Sequence, residues 1–133
     1  MSNFRYNPGI IYNQIIFFMK AVLLNKFKVG DIVKMKVSFL NEPVGTKAYV
    51  YEVYNIGREQ GVSIITENGI DIGGFSGDEQ WKYLEFVSHS GFYYEFRSVS
   101  WLAVDWNNGV FDNIFAKKQN SSFSTDDPTF LEP

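Results

Sequence analysis

The chain has 133 residues, 45% hydrophobic and 18% aromatic, so one domain can bury a core without disulfides or metals. Twelve basic and 15 acidic residues give a net charge of -3, which provides no long-range attraction for nucleic acid or an anionic membrane. The absence of cysteine excludes disulfides, thiolate metal sites and thiol nucleophiles, and the single histidine, His89, excludes zinc sites built from several histidines.

The first feature along the chain is an apolar run at residues 10–24. It is about 15 residues long and contains Asn13, Gln14 and Lys20, whereas a membrane span needs about 20 apolar residues. The run also lacks the basic leading region and the small-residue cleavage site of a signal peptide. We therefore expect a cytoplasmic protein that does not associate with a membrane.

This run is predicted to form a helix or a strand with one continuous apolar side. Four side chains would define that side: Ile11, Ile15, Phe18 and Val22. Residues 1–26 then either cover the core of their own domain or act as an oligomerisation element, because an exposed apolar stretch needs a partner. Translation from Met19 is a third reading, in which the first 18 residues are not part of the protein.

Strand signals begin after Phe27. Gly30 and Asp31 mark a turn, after which apolar residues alternate with Lys and Ser over residues 33–39. A period of two is typical of a strand with one buried face. Residues 46–55 follow as a second strand with tyrosines on both faces, so one face would still present tyrosine to solvent or to a partner.

A hairpin is predicted at residues 61–74. Two runs rich in β-branched residues flank Asn68 and Gly69, and an Asn-Gly pair supplies the positive φ angles of a tight turn. The glycines that follow, Gly73 and Gly74, are predicted to end the second strand of this hairpin.

The next stretch, SGDEQ at residues 76–80, could begin either a phosphate-binding loop or a helix. A phosphate-binding loop needs Lys after its last glycine, but Gly77 is followed by Asp78 and Glu79, which would repel phosphate. Ser76 and Glu79 instead match the S-x-x-E capping box, in which each side chain accepts a hydrogen bond from the other residue's amide. We therefore predict a capped helix at residues 77–87.

Three further elements are predicted after this helix. Residues 92–97 read as a strand, and a short helix follows with Ser98 as its N-cap. Residues 110–115 read as a last strand. Residues 116–133 are polar and aperiodic, so we predict that they form a flexible tail.

The order of these elements resembles the start of SH3-like barrel modules, such as KOW, Tudor and CarD-like domains and small proteins of bacteria and their phages. The resemblance is carried by the VGDIV turn and strand at residues 29–33, by the tyrosine-rich strand at 48–54 and by the hairpin at 62–72. It covers about half of the chain. The resemblance implies a small β-barrel that binds a partner, and it implies no reaction.

These signals together predict a mainly β chain in three parts. An apolar N-terminal helix or strand occupies residues 1–26, an SH3-like barrel with one or two short helices occupies residues 27–115, and the flexible tail occupies residues 116–133.

No catalytic, metal or cofactor site is predicted. Asp71, Asp78 and Glu79 form the densest group of acids, but they lack the spacing of an EF-hand loop. His89 lies between serines near a turn, without a recognisable nucleophile motif or orienting partner, so we interpret it as a surface-loop histidine. We therefore expect a protein that is not an enzyme.

The aromatic content exceeds what core packing alone requires. Tyr and Trp favour interfaces because they combine a large apolar area with a polar group. The predicted aromatic binding surface consists of Tyr49, Tyr51, Tyr54, Trp81, Tyr83 and Tyr93.

A basic face is the other surface that the strands could present. Lys34, Lys36 and Lys47 lie near tyrosines and would suit single-stranded nucleic acid, which binds to stacked rings and cations. Lysines on a strand also discourage edge pairing, which is an ordinary structural role. We therefore favour ordinary solvation of these lysines over nucleic-acid binding.

The primary hypothesis is a non-catalytic binding or assembly module that recognises a protein partner, including a second copy of itself, as an accessory protein of a bacterium or phage. The alternative is a protein that sequesters a small ligand or nucleotide, as a phage antagonist of a host signal would. Single-stranded nucleic-acid binding is a third hypothesis. We expect protein recognition or self-association rather than contact with nucleic acid or a membrane.

Overall fold

The computed structural model describes residues 26–115 and 122–130. These residues form strands β1 (Asp31–Met35), β2 (Lys47–Ile56), β3 (Glu59–Thr66), β4 (Ile70–Ser76), β5 (Leu84–His89) and β6 (Ser124–Thr125), and helices α1 (Asp78–Tyr83) and α2 (Val99–Asn107). The strands make one sheet in the order β5-β1-β2-β3-β4-β6. Neighbouring strands are antiparallel except for the parallel pair β4 and β6. The prediction of a mainly β chain with one or two short helices is confirmed.

The predicted hairpin is formed by β3 and β4. Gly69 adopts a φ of 82°, which favours glycine. The Thr66 hydroxyl accepts hydrogen bonds from the backbone amides of Asn68 and Ile70, at 3.2 and 3.1 Å. The side chain of Thr66 therefore stabilises the turn that the Asn-Gly pair predicts.

The first core lies on one face of the sheet, and each of the strands β1 to β5 contributes at least one side chain to it. Its buried members are Phe27, Val33, Met35, Ala48, Val50, Val62, Ile64, Ile72, Phe75 and Leu84. The sheet is open, because the strand order begins at β5 and ends at β6, and within residues 26–115 and 122–130 no ladder joins β4 to β5. The structure therefore shows a mainly β sheet and does not show the closed barrel.

The second core lies on the opposite face, against α2 and the segments that follow it. Its buried members are Ile32, Tyr49, Tyr51, Ile65, Tyr94, Leu102, Trp106, Phe111, Phe115 and Phe123. The alternation of side chains in β2 explains the division, because Ala48 and Val50 face the first core whereas Tyr49 and Tyr51 face the second. The tyrosine-bearing face of this strand is therefore covered by the chain itself.

The capping-box prediction is wrong. Ser76 is the last residue of β4, and the N-cap of α1 is Gly77, with a φ of 54° and no side-chain capping bond. A Cβ at Gly77 would lie 2.7 Å from the Glu59 carboxylate, so glycine fits both the backbone angle and the space. Gly73 and Gly74 lie inside β4 rather than after it.

The predicted helix at residues 77–87 is also too long. It ends at Tyr83, and residues 84–89 form β5 because they pair with β1. The remaining strand predictions fail as well, since residues 92–97 carry no assigned strand and residues 110–115 form turns. The helix that Ser98 begins is confirmed, with the Ser98 hydroxyl accepting from the Trp101 amide.

The predicted flexible tail is partly ordered. Residues 124 and 125 pair with β4, Phe123 is buried in the second core, and Phe130 packs against that core. These aromatic contacts explain why a polar segment packs on the sheet.

The apolar run lies outside the described residues, and so do its predicted oligomerisation residues: Ile11, Ile15, Phe18 and Val22. Residues 116–121 and 131–133 also lie outside them. Among the residues that the structure describes, no helix is long and apolar enough to cross a membrane.

Candidate functional site

A cleft opens where the start of β1 meets the end of β5. Its volume is about 290 Å³, and it is lined by residues 28–31, His89 and residues 91–93. Asp31 and His89 are partners in the β1–β5 register, which places their side chains side by side. Strand pairing thus positions Asp31 and His89, whereas residues 28–30 and 91–93 of the cleft lie outside the strands.

The Asp31 carboxylate holds the His89 imidazole in a fixed orientation. One carboxylate oxygen lies 2.6 Å from His89 Nδ1, and the other accepts a hydrogen bond from the Lys28 amide at 2.9 Å. The Asp31 side chain is 3% exposed, whereas that of His89 is 67% exposed. Because the carboxylate accepts at Nδ1, the imidazole donates there and its Nε2 is left for a ligand.

A buried tyrosine supports the opposite side of the cleft. The Tyr49 hydroxyl donates to the Phe92 carbonyl at 2.6 Å and accepts from the Tyr94 amide at 2.9 Å. Desolvation by burial raises the pKa of Tyr49 to about 12, so its hydroxyl stays protonated at neutral pH. The backbone beside Tyr93 is therefore held by a side chain of the second core.

Three polar side chains of the cleft are exposed and could contact a ligand. Tyr93 is 70% exposed, and Lys28 and His89 are also exposed. Together they offer an ammonium group, an imidazole nitrogen and a phenol beside the Phe92 ring. In the described part of the chain, no group of three or more His, Asp or Glu side chains could hold a metal ion.

The outer surface of α2 is a second candidate site. Trp101 is 48% exposed and Val104, one turn further along, is 44% exposed. The Arg97 guanidinium carbon lies 4.2 Å from the centroid of the Trp101 ring, and its Nη2 lies 3.3 Å from Asp105 Oδ2. Asp105 also accepts from the Tyr94 hydroxyl, so a core residue helps to fix the position of Arg97. We call Arg97, Trp101 and Val104 the α2 surface.

The third candidate site is a cavity of about 340 Å³, which is lined by acids and rings near β4. Asp71 lies at its base, 2% exposed, and accepts hydrogen bonds from Tyr51 and Thr125. Desolvation by burial raises the pKa of Asp71 to about 6, against the opposing effect of these two hydrogen bonds. Both of these donors belong to the chain itself, so the Asp71 carboxylate acts within the fold.

The six residues of the predicted aromatic surface do not form one surface. Tyr49 and Tyr51 are 0% and 3% exposed and belong to the second core. Tyr54 packs on Gly61 across the β2–β3 pair, and Tyr83 is half-buried against the first core. Trp81 and Tyr93 are exposed, the former on α1 and the latter in the cleft.

The predicted basic face loses its stacking residues in the structure. Lys34 and Lys47 are opposite each other in the β1–β2 register, and Lys36 Nζ donates to the Trp81 carbonyl at 2.6 Å. Tyr49 and Tyr51, which would stack on bases, face the second core. A base could reach these rings only if α2 and its flanking segments moved away.

Sequence reasoning missed two groups of residues in these sites. Asp31 and His89 are 58 residues apart, and no local motif links them. Their pairing could have been found only by predicting that β5 lies beside β1. Arg97 and Trp101 carry a local signal, because they lie four positions apart around the Ser98 N-cap, but a spacing alone does not show exposure.

Comparison with known proteins adds no relative from which a site could be transferred. No family model, no curated protein and no solved structure matches the chain. The functional argument therefore rests on the cleft and the α2 surface.

Proposed function

We propose that the chain is a non-catalytic binding module that recognises a protein partner through the α2 surface. The observation that carries this proposal is the exposed Trp101 ring beneath the Arg97 guanidinium. Trp and Arg are the residue types that contribute most to binding at protein interfaces. Here both are already positioned in the free chain, which reduces the entropy lost on association.

The two sides of α2 support this proposal. Leu102 and Trp106 face the second core, while Trp101 and Val104 are exposed on the other side. A helix with apolar residues on all sides is typically buried, whereas this one is covered on one side within the described residues. A partner with an apolar surface, and with carboxylate or carbonyl acceptors for Arg97, would cover the other side.

We also propose that the sheet is an SH3-like barrel with one open seam, the kind of module for which partner binding is the expected role. The support is topological, since β5 returns to the edge of β1 and the first core draws on all five strands. A β4–β5 ladder would close β1 to β5 into a ring, and it would have to form beyond Ile70 and Asp71, where β6 pairs with the same edge of β4. Helix α1 connects these two strands and contacts both.

Affinity capture from the native host tests the α2 surface. The intact chain is compared with Trp101→Ala and with Tyr93→Ala, which removes a more exposed ring from the cleft. We expect one specific protein to be retained by the intact chain and by Tyr93→Ala, and to be reduced at least about tenfold by Trp101→Ala, as for an interface residue worth about 1.4 kcal/mol or more. Equal retention by all three, with unchanged circular dichroism, would refute the proposal.

A second candidate function is sequestration of a small ligand in the β1–β5 cleft. The favouring observation is the His89 imidazole, which the buried Asp31 carboxylate holds in a cleft that Lys28 and Tyr93 also line. The free groups are mostly donors, so a small anion such as a nucleotide or carboxylate is the matching class.

Thermal shift with a panel of nucleotides and carboxylates tests this candidate. A ligand at 100 times its Kd stabilises the folded state by about 2.7 kcal/mol. The shift should appear in the intact chain and in Trp101→Ala, and it should shrink in His89→Ala. A shift of equal size in His89→Ala would place the ligand elsewhere.

A further inference from the structure

Aromatic side chains around α1 remain exposed at one side of the first core. Trp81 and Phe39 are 36% and 37% exposed, and Tyr83 is half-buried. Phe39 contacts Tyr83 with ring centroids 5.9 Å apart, and Lys36 Nζ donates to the Trp81 carbonyl, which joins the loop after β1 to the helix. We call Phe39, Trp81 and Tyr83 the α1 patch.

The chain enters its described part directly beneath this patch. The Phe27 ring is 1% exposed and stacks on Trp81, with centroids 5.0 Å apart and an interplanar angle of 30°. The Phe27 carbonyl accepts from Gln60 Nε2 at 3.0 Å. The segment before Phe27 therefore starts next to exposed aromatic rings.

A buried polar atom near the same place is unpaired. Gln80 is 3% exposed, and its Nε2 donates to the carbonyls of Gln60 and Gly77 at 2.6 and 3.3 Å. Both partners are acceptors, so the amide orientation is fixed and Oε1 is the atom left over. Among the described residues, Gln80 Oε1 is the buried side-chain atom without a hydrogen-bond donor.

We propose that the α1 patch is the docking site for the apolar run at residues 10–24 of the same molecule. This run carries Ile11, Ile15, Phe18 and Val22 and ends two residues before Lys26, the first described residue. Residues 19–25 can span about 25 Å when extended, which is enough to bring Phe18 to a patch beside Phe27. A segment tethered this closely has a high effective concentration at the patch, so it competes well against a second copy.

The docked run would cover the exposed aromatic area of Trp81 and Phe39. The apolar side chains of the run and the aromatic rings of the patch would both be removed from water, and this hydrophobic burial favours the contact. This inference is independent of the α2 surface, which lies on the other face of the sheet. It assigns to residues 10–24 an intramolecular role instead of oligomerisation.

Thiol labelling tests the proposal cleanly because the chain contains no cysteine. Asp78 lies three positions before Trp81 on α1 and is exposed, so Asp78→Cys places one thiol beside the patch. Ser100→Cys, exposed on α2, is the matched control. Reaction with a thiol reagent is measured in the full chain and in a chain that begins at Met19.

We expect the thiol at position 78 to react at least about fivefold faster in the shorter chain, and the thiol at position 100 to react equally in both. The full-length triple variant Ile11→Ser, Ile15→Ser, Phe18→Ser should match the shorter chain, which keeps the test valid if truncation impairs folding. Equal rates at position 78 in all three forms would overturn the proposal. The proposal would also be overturned if the thiol at position 78 reacted more slowly at higher protein concentration, since a second copy of the chain would then cover the patch.

Discussion

The two faces of the sheet are covered by different means. The first core consists of Phe27 and strand residues, most of them aliphatic, contributed by a continuous stretch of chain from β1 to β5. The second core is mainly aromatic, and six of its ten buried members come from residues 94–123. It also contains hydroxyl groups, such as those of Tyr49 and Tyr51, that need partners. The first face therefore depends on local alternation and the second on contacts between distant segments.

This difference relates stability to the candidate sites. The Tyr49 hydroxyl binds the backbone beside the cleft, and the Tyr94 hydroxyl binds the same carboxylate as Arg97. Both candidate binding surfaces are thus supported by polar groups of the second core. Changes in the first core should alter stability alone, whereas changes in the second should also alter the surfaces.

Phe111→Ala should give the largest effect. Phe111 is fully buried and makes ring contacts with Tyr49, Phe92, Tyr94 and Trp106, with centroids 5.0 to 6.3 Å apart. Its removal should lower the free energy of unfolding by about 3–5 kcal/mol through lost packing and a cavity. Urea unfolding followed by far-UV circular dichroism measures the loss.

Ile64→Ala provides the matched change in the first core, with an expected loss of about 2–5 kcal/mol. The two variants should differ in near-UV circular dichroism, since only Phe111→Ala disturbs the cluster of rings. Identical near-UV changes in the two variants would show that the two cores respond as one unit, which would contradict the separate support of the two faces.

Asp71→Asn should remove a pH dependence of stability. Burial raises the pKa of Asp71 to about 6, above the ordinary value of 3.8. The folded state thus binds the proton more tightly than the unfolded state, and stability rises as pH falls from about 7 to about 4. The raised pKa of Asp71 corresponds to a change of at most about 3 kcal/mol in the free energy of unfolding over this pH range. The intact chain should therefore melt at a higher temperature at pH 5 than at pH 7.5, and Asp71→Asn should have a smaller difference.

Thr125→Val sharpens this test. Its hydroxyl donates to Asp71 and lowers the pKa of that carboxyl, so the variant should raise the pKa further and enlarge the pH dependence. The same difference between the two pH values in the intact chain and in Asp71→Asn would show that another group is responsible.

The sequence predicts those elements of the fold whose conformation depends on neighbouring residues in the chain. Alternation predicts β2 and the part of β1 at residues 33–35, although the strand predicted to reach residue 39 ends at Met35, and Asn68 and Gly69 predict the hairpin of β3 and β4. The sequence predicts a helix at residues 84–87, where the structure has most of β5. Pairing with β1, which lies some fifty residues earlier in the chain, decides the conformation of this segment. The strand prediction for residues 110–115 is wrong for the same reason, since contacts of Phe111 and Phe115 in the second core decide the conformation of this segment.

The candidate sites were less predictable than the fold. The aromatic excess is real, but sequence cannot tell whether Tyr49 or Tyr93 faces solvent, and the former is buried while the latter is 70% exposed. The sequence predicts a surface-loop histidine at position 89, because its partner Asp31 can be identified only after β1 and β5 are paired. Polar groups that are brought together by pairing leave no local pattern.

Ser98→Ala is the smallest change and tests how α2 is held on the second face. The Ser98 hydroxyl accepts from the Trp101 amide at 3.2 Å, so its loss should cost about 1 kcal/mol. Ser100→Ala, inside the same helix, should instead be neutral or slightly stabilising, because Ala has the higher helix propensity. Hydrogen exchange should accelerate at residues 99–102 in Ser98→Ala and stay unchanged in β3. Acceleration across β3 as well would mean that α2 and the first core open together, which contradicts a separately supported second face.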